Sequence, residues 1–349
     1  MVWVKQVAEF KIPLKVQLDL TYRCNLKCIH CCFYRLGNNK EELSTLEVKN
    51  IIFQLSKLGT IIITLSGGEI FLRKDALELF EFISNLGMKI KIYSNLTLCS
   101  EKTLKMLNGF SIYQVETSVY GSRSFSHDRI TQVKGSFAKT IRGIKALKNN
   151  GIKVLMKCAF IEETIKEYEK IIELAKRMGI ELTFGDFVIN EKAFNEKNAF
   201  NSLRFHRVNL QNLEKLYSHP YILKQLNIED LKQRNFILEK DNLEKPICEA
   251  GHYKLHIRPN GDIFPCGLWL IKLGNVREIP IDLIWNNSDI LERIRQLKLK
   301  DFKDCLTCDS IQYCDLCPAI TYDLDHNRCR KNFQYCKKAK LLHKLCNRY

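Results

Sequence analysis

Apolar runs alternate with amphipathic segments along the first 190 residues of the chain. Six runs rich in Ile, Val, Leu and Phe predict β-strands at residues 14–20, 60–66, 88–94, 112–119, 152–160 and 181–187. Between them, helical spacing occurs at residues 73–86, 100–108, 136–149 and 165–178, and a glycine closely follows each segment. The motif from Ser44 to Glu47 predicts a capping box at the start of another helix, which Gly59 would end.

Six strand–helix units in succession predict parallel strands with helices packed outside them. Eight units would close a full barrel, so the expected fold is α/β, a partial (βα)6 TIM-type barrel. In such folds, ligand-binding groups gather at the carboxyl ends of the strands. We therefore expect the site residues in the loops that follow the strands.

The chain divides by composition into four parts. An N-terminal segment covers residues 1–13, the barrel 14–190, a polar, Asn-rich bridging region 191–246, and a small Cys-rich domain 247–349. Nine of the 15 cysteines lie in this last part, which has little continuous apolar sequence for a core of its own. Metal binding would supply the missing folding free energy, so we expect an iron–sulfur domain there.

Charged residues such as Lys5, Glu9 and Lys11 interrupt the apolar start of the chain, which argues against a signal peptide. No stretch is apolar enough for a transmembrane helix, so we expect a cytoplasmic protein without a membrane partner. In that reducing compartment, clustered cysteines more often bind metal than form disulfides. The net charge of +16 predicts an anionic partner or a well-solvated Lys-rich surface. Nucleic acid is the less favoured partner, because no dense basic run is interleaved with aromatic residues.

Three cysteines, Cys24, Cys28 and Cys31, are spaced C-x3-C-x2-C just after the first predicted strand. Thiolates at this spacing can hold three corners of a cubane iron–sulfur cluster. Cys32 adjoins Cys31, so its side chain should point elsewhere and leave one iron without a protein ligand. Such an iron can bind a substrate or cofactor directly. A zinc knuckle and free buried thiols are the alternatives.

The segment TYRCNLKCIHC resembles the cluster loop of radical S-adenosylmethionine (radical SAM) enzymes. The resemblance implies one 4Fe–4S cluster whose open iron chelates the methionine amino and carboxylate groups of S-adenosylmethionine (SAM). In that family an electron from the cluster cleaves SAM to a 5′-deoxyadenosyl radical, which abstracts a hydrogen atom. An external electron donor is implied as well. The cofactors carry the difficult chemistry, and the protein supplies binding and orientation.

A second motif, Ser66-Gly67-Gly68-Glu69, closes the second predicted strand. Two glycines let backbone carbonyls approach an ammonium group closely, and Glu69 adds a charged acceptor. In the radical SAM family a GGE segment holds the methionine amino group of SAM, so the resemblance implies that role for Gly67, Gly68 and Glu69. An ordinary turn is the alternative. The chain has Ile70 where the family more often has proline.

Further SAM contacts are implied for polar residues at strand ends, namely Ser94, Asn95 and Ser118, and for His30. The alternatives are satisfied strand ends for the first three, and for His30 a role in capping the loop or facing solvent. The segment 118–137 resembles a stretch of peptide-modifying members, in which some relatives place an arginine for the methionine carboxylate. Thr131 occupies that position here, which leaves the carboxylate partner open, and Arg129 is one candidate. The sequence assigns no catalytic residue.

The C-terminal cysteines resemble the SPASM extension of some radical SAM enzymes, which binds two auxiliary 4Fe–4S clusters. By position, one cluster would be held by Cys305, Cys308, Cys314 and Cys336. The other would be held by Cys248, Cys266 and Cys317, with Cys329 or a substrate thiol as a further ligand. The chain has C-x2-C at Cys314 and Cys317 where C-x3-C is usual. Structural zinc is the alternative.

The resemblance implies an enzyme that modifies a precursor peptide or protein, with a thioether or C–C crosslink in a ribosomal peptide as the expected product. Formylglycine formation on a sulfatase and a step in haem synthesis are alternatives within the family. A non-catalytic iron–sulfur or zinc-organised binding protein is the alternative of another class. Few residues precede Cys24, so we expect any leader peptide to be read by a separate recognition protein.

Overall fold

The computed structural model describes residues 11–31, 33, 41–185, 210–226, 243–324, 328–329 and 331–348. The chain forms two compact units. The first contains Met1–His206 and Ala250–Ser288, and the second contains Arg207–Glu249 and Asp289–Tyr349. The domain boundaries drawn from the sequence stay predictions, and most of the Asn-rich stretch near residue 200 lies outside the described residues.

All six predicted strands form in the first unit. They are β1 Lys15–Thr21, β2 Ile62–Gly67, β3 Lys89–Tyr93, β4 Ile112–Ser118, β5 Val154–Ala159 and β6 Glu181–Gly185. Each is parallel to the next, in the spatial order β6-β5-β4-β3-β2-β1. The predicted α/β class with six parallel strands is confirmed.

Three short strands extend this sheet beyond β1 and were not predicted. β7 Lys254–Ile257 runs parallel to β1, and β8 Asp262–Phe264 and β9 Gly274–Asn275 continue antiparallel. They come from the first part of the predicted Cys-rich region. Because each spans only two to four residues, their sequences carry no clear alternation of polar and apolar positions.

The helices of the described residues lie in both units. They are α1 Thr45–Lys57, α2 Ala76–Asn85, α3 Glu101–Met106, α4 Ser124–Thr131, α5 Ser136–Asn149, α6 Glu162–Ile165, α7 Tyr168–Met178, α8 Leu210–Tyr217, α9 Pro220–Leu226, α10 Ile281–Asn287, α11 Asp289–Gln296, α12 Lys303–Leu306, α13 Pro318–Thr321 and α14 Phe333–Cys346. The predicted capping box starts α1, since Ser44 and Glu47 each accept a hydrogen bond from the other's backbone N–H. Helix α4 was missed. None of the described helices is long and apolar enough to cross a bilayer.

The core of the first unit lies between the sheet and its helices. Val16, Ile63 and Ile90 are fully buried and are register partners across β1, β2 and β3. Helices α1 and α2 bury Ile51 and Phe80 in the same core. This apolar burial fixes the sheet and therefore fixes where the carboxyl end of each strand lies.

The second unit consists of short elements around a smaller core. Its strands are β10 Tyr322–Asp323 and β11 Arg328–Cys329, which pair antiparallel. Phe302 and Tyr322 pack with ring centroids 5.0 Å apart, and Tyr313 stacks on His343 at 4.8 Å. Several cysteines lie on or beside these elements, among them Cys305 in α12, Cys317 at the start of α13, Cys329 in β11, and Cys336 and Cys346 in α14.

Candidate active site

A cavity of about 400 Å³ lies at the carboxyl ends of strands β1 to β5. Its size is that of a site for one small organic ligand. It is lined by Cys24, Leu26, Cys28, His30, Cys31, Phe33, Ser66, Gly67, Gly68, Tyr93, Ser94, Asn95, Glu116, Ser118, Tyr120, Lys157 and Ala159. The tertiary structure therefore brings together residues that follow or end five different strands. The most distant pair, Cys24 and Ala159, is 135 positions apart in the sequence.

The three N-terminal cysteines all line this cavity, and none is in a disulfide. Their loop is stabilised by the Cys31 N–H, which donates to the Cys28 carbonyl at 3.0 Å. Burial raises the pKa of Cys24 to about 11 and raises that of Cys28 further. Both thiols therefore need a nearby cation, such as the iron of a cluster, to become thiolates.

The end of α4 holds the cysteine loop from outside the cavity. The backbone N–H groups of Lys27 and Ile29 donate to the carbonyls of Thr131 and Ile130, each at 3.0 Å. The Asp128 carboxylate in turn accepts from the N–H groups of Gly135 and Phe137 and so caps α5. This segment of the chain therefore positions the cysteines.

Gly67 and Gly68 line the cavity, and each lies where a side chain could not fit. Gly67 has φ +124°, and a Cβ there would lie 2.5 Å from the Thr21 carbonyl oxygen. A Cβ on Gly68 would lie 2.1 Å from the carbonyl oxygen of Arg23. The Gly68 and Glu69 N–H groups donate to these same two carbonyls at 2.8 Å. The glycines thus let the end of β2 pack directly on the chain that enters the cysteine loop.

Glu69 is fully buried and is not among the residues that line the cavity. Its carboxylate accepts hydrogen bonds from Ser94 Oγ and the Asn95 N–H, both at 2.8 Å, and from the Phe71 N–H at 3.2 Å. Burial raises the pKa of Glu69 to about 7, although these hydrogen bonds act to lower it. Glu69 therefore ties the end of β2 to the end of β3, and Ser94 and Asn95 are the residues that reach the cavity.

The Asn95 side chain connects this strand end to the first cysteine. Its amide donates to Asn25 Oδ1 at 3.0 Å and to Cys24 Sγ at 3.8 Å. Its own oxygen accepts from the backbone N–H and the hydroxyl of Thr97. These contacts fix the orientation of the amide beside the cysteine loop.

His30 lines the cavity and makes a T-shaped contact with Tyr120, with ring centroids 4.7 Å apart. Tyr120 in turn stacks on His127, with ring centroids 5.7 Å apart. Burial lowers the pKa of His127 to about 4, so its Nδ1 is unprotonated and accepts from the Tyr120 N–H at 3.1 Å. The rings of His30 and Tyr120 therefore form part of the cavity wall, and His127 supports Tyr120 without lining the cavity itself.

The two positions suggested for a methionine-carboxylate partner do not line the cavity. Thr131 is fully buried, and its hydroxyl lies 2.6 Å from Ser136 Oγ. Arg129 is on the same helix and is also absent from the cavity wall. The sequence motif around them supports the cysteine loop through its backbone instead.

Sequence reasoning missed Glu116, a charged residue that forms part of the cavity wall. Glu116, almost fully buried on β4, forms ion pairs with Lys91 of β3 and Lys157 of β5. Gln114 donates to Glu116 Oε1 at 3.0 Å, and Lys157 lies 4.5 Å from the ring centroid of Tyr93. The alternation of Gln114, Glu116 and Ser118 along β4 was the signal, since every second residue of a strand faces the same side.

Cysteines of the second unit also lie close to one another. Burial raises the pKa of Cys314 to about 11, and the charges of Asp315, Cys336 and Cys305 add to the rise. Burial also raises the pKa of Cys336, with a contribution from Cys305 and Cys308. The Cys308 N–H donates to the Cys305 carbonyl at 3.0 Å. The Sγ atoms of Cys305 and Cys329 are 3.4 Å apart, so Cys329 lies with the set predicted for the four-thiolate cluster.

Iron–sulfur clusters take cysteine thiolates as ligands, and the three cysteines of the cavity are free and share one wall, so they fit such a cluster. In the described part of the chain, no three His, Cys, Asp or Glu side chains are drawn together as tightly as around a bound metal ion. The first unit thus provides three thiols beside a cavity of cofactor size, at the carboxyl ends of parallel strands. Fold and site together define an iron–sulfur enzyme with an organic cofactor.

Family models identify the class more closely. The model of the Radical SAM superfamily matches residues 18–187, and that of the SPASM iron–sulfur cluster-binding domain matches residues 248–310. These matches show that the chain carries a radical SAM domain followed by a SPASM domain. The radical SAM domain binds SAM and a 4Fe–4S cluster, and the SPASM domain binds auxiliary iron–sulfur clusters. The prediction of an enzyme is confirmed over that of a non-catalytic binding protein.

Similar proteins fall into more than one functional group. The AdoMet-dependent heme synthase of Methanosarcina barkeri is 25% identical over 90% of this chain and 94% of its own. The antilisterial bacteriocin subtilosin biosynthesis protein AlbA of Bacillus subtilis is 27% identical over 88% of this chain and 68% of its own. The structure of Streptococcus suis SuiB bound to precursor peptide SuiA has a TM-score of 0.62, with 17% identity over 90% of this chain and 74% of that one. At 17% identity, the similarity to SuiB shows only that the two chains share a fold.

Proposed function

We propose that this enzyme cleaves SAM reductively and uses the 5′-deoxyadenosyl radical to modify a peptide or protein, with a thioether or C–C crosslink as the product. The observation that carries the proposal is that Cys24, Cys28 and Cys31 share one cavity with the Gly67-Gly68 strand end. When bound, the cluster and SAM together supply the radical that removes a hydrogen atom from the substrate.

The chain's own residues have separate tasks in this proposal. Cys24, Cys28 and Cys31 hold the cluster, and the Ser66 to Gly68 backbone receives the methionine amino group. Ser94, Asn95, Ser118 and His30 contact the rest of SAM from the cavity wall. Glu69 acts through Ser94 and Asn95, whose positions its carboxylate fixes.

The auxiliary clusters are assigned to the C-terminal cysteines. We assign one to Cys305, Cys308, Cys314 and Cys336, whose mutual electrostatic influence supports the grouping. We assign the other to Cys248, Cys266 and Cys317. Cys329 contacts Cys305, a ligand of the first auxiliary cluster, which does not favour Cys329 as a further ligand of the second one. A substrate thiol is then the remaining candidate for that ligand.

Similarity to a bacteriocin biosynthesis protein over most of both chains supports a peptide substrate. The net charge of +16 would suit an acidic precursor peptide. A separate leader-recognition protein and an external electron donor complete the proposed set of partners. A haem precursor is the second candidate substrate, because the similarity to a haem synthase covers 90% of this chain.

Cleavage of SAM by the anaerobically reconstituted, reduced protein tests the reaction class. We expect 5′-deoxyadenosine and methionine from the wild type, and neither from Cys24→Ala, Cys28→Ala or Cys31→Ala. Cys346→Ala, a buried cysteine of α14, is the matched control and should retain cleavage. Equal activity in all four variants would overturn the assignment of the loop.

Substrate class is tested separately by mass spectrometry. Incubation with candidate precursor peptides should yield a product that has lost two hydrogen atoms per crosslink, and this product should require SAM. Conversion of an iron-porphyrin precursor, with no change in any peptide, would replace the peptide proposal by the haem alternative.

A further inference from the structure

A buried polar group on three neighbouring strands carries an excess of positive charge. Glu116 is paired with two ammonium groups, those of Lys91 and Lys157. Burial alone would raise the pKa of Glu116, but the hydrogen bonds and charges of Lys157 and Lys91 hold it below its usual value. The carboxylate is therefore ionised, and one negative charge faces two positive charges.

The two lysines differ in their access to the cavity. Lys157 lines the cavity and its side chain is 41% exposed, whereas Lys91 is not among the lining residues. Among the described residues of the cavity wall, Lys157 is the only lysine or arginine. The unbalanced charge is thus presented to the cavity by a single side chain.

The Lys157 ammonium has two polar partners within the protein and also lines the cavity. A lysine ammonium has three N–H donors. One is directed to Glu116 and another to the Tyr93 hydroxyl at 3.4 Å, with the Tyr93 ring 4.5 Å from the nitrogen. Burial raises the pKa of Tyr93 to about 12, so this hydroxyl stays protonated and uncharged. A third donor remains for an anionic group in the cavity.

We propose that Lys157 is the residue that binds the carboxylate of the methionine part of SAM. Lys157 is the register partner of Ser118 on β4, which lines the same wall. Glu116 and Tyr93 are positioning residues that hold the ammonium at the cavity surface. The inference rests on the proposed placement of SAM in this cavity, and it assigns the carboxylate to a residue on β5 instead of the segment around Thr131.

Binding measurements on the reconstituted, anaerobic enzyme test this assignment with two probes. SAM carries the carboxylate, and decarboxylated SAM keeps the sulfonium and the amino group without it. We expect the wild type to prefer SAM, and Lys157→Gln to bind SAM on the order of 10- to 100-fold more weakly, as expected for loss of a charge-assisted hydrogen bond. Its affinity for decarboxylated SAM should change little.

Lys91→Gln is the matched control, because it removes the same charge from Glu116 without altering the cavity wall. It should retain the wild-type preference for SAM, and circular dichroism checks that both variants fold. A preference for SAM in Lys157→Gln as large as that of the wild type would overturn the assignment, as would an equal loss of SAM affinity in both variants. Failure of the wild type to bind either probe would instead refute the proposed function of the cavity.

Discussion

The backbone N–H of Lys27, inside the cysteine loop, donates to the carbonyl of Thr131 at 3.0 Å. Thr131 is the last residue of α4, and the adjacent pair Ile29 and Ile130 repeats the contact. The loop to which we assign three ligands of one cluster is thereby fixed by a helix more than 90 positions later in the chain. The stability of α4 and of the turn after it should consequently affect cluster assembly.

Asp128→Ala tests this coupling. The Asp128 carboxylate accepts from the Gly135 N–H, Ser136 Oγ and the Phe137 N–H, at 2.6 to 2.8 Å. Loss of such a cap should lower the free energy of unfolding by about 1–2 kcal/mol, measured by urea denaturation of the cluster-free protein. Iron content at the N-terminal cysteines should fall as well.

Asp282→Ala, at an exposed position in the first turn of α10, is the control and should change neither quantity appreciably. These hydrogen bonds hold the pKa of Asp128 below its usual value, although burial opposes them. Its stabilising effect is therefore present above the ordinary aspartate pKa and is lost as the pH falls through the lower, folded-state value. A difference between wild type and Asp128→Ala that grew in acid would contradict this reading.

Gly68→Ala adds only one methyl group but should strongly destabilise the protein. The new Cβ would lie 2.1 Å from the Arg23 carbonyl oxygen, and backbone cannot move aside as a flexible side chain can. We expect a loss of at least about 1–3 kcal/mol in the free energy of unfolding and a strong reduction of SAM cleavage. Gly109→Ala, where a Cβ meets nothing within 4 Å, is the matched control. Similar stability of the two variants would show that the strand end is not so tightly packed.

Glu69 should make stability depend on pH in the opposite direction from Asp128. Its folded-state pKa of about 7 exceeds the ordinary value of 4.5, so the folded state binds the proton more strongly. Stability should therefore decrease as the pH rises from about 4.5 to about 7, by on the order of 3 kcal/mol from this group. In Glu69→Gln this part of the slope should disappear, as measured by urea denaturation of the cluster-free protein across that range. If stability depended on pH equally in the wild type and in Glu69→Gln, the raised pKa of Glu69 would be refuted.

Cys308 and Cys329 should differ in their effect on iron content. Cys308 belongs to the set assigned to an auxiliary cluster, so Cys308→Ser should lose about four iron atoms per chain. It should keep basal SAM cleavage and lose substrate conversion. Cys329→Ser should retain its iron, since the four assigned thiolates remain. Iron loss in Cys329→Ser that matched that of Cys308→Ser would make Cys329 a ligand.

Local sequence patterns predicted the six parallel strands correctly, because each has an apolar run that ends before a helical segment. They failed for α4, whose residues are mostly polar, and for β7 to β9, which are too short for a pattern. Helix α4 is held by contacts such as those of Asp128 and Glu167, the latter accepting from Ser122 and Ser126. The contacts of Glu167 join residues 41 to 45 positions apart, which a local pattern cannot reveal.

The sequence by itself predicted the cysteine loop as the proposed cluster site, because the spacing of Cys24, Cys28 and Cys31 is a local property of eight residues. It also determined Gly67 and Gly68 as a place of close approach. Only the tertiary structure decided what approaches them, which is the Arg23 and Thr21 backbone, and that Glu69 faces Ser94 and Asn95. It alone placed Lys157 beside Glu116, because a strand end acquires its neighbours only when the sheet brings separate strands into register.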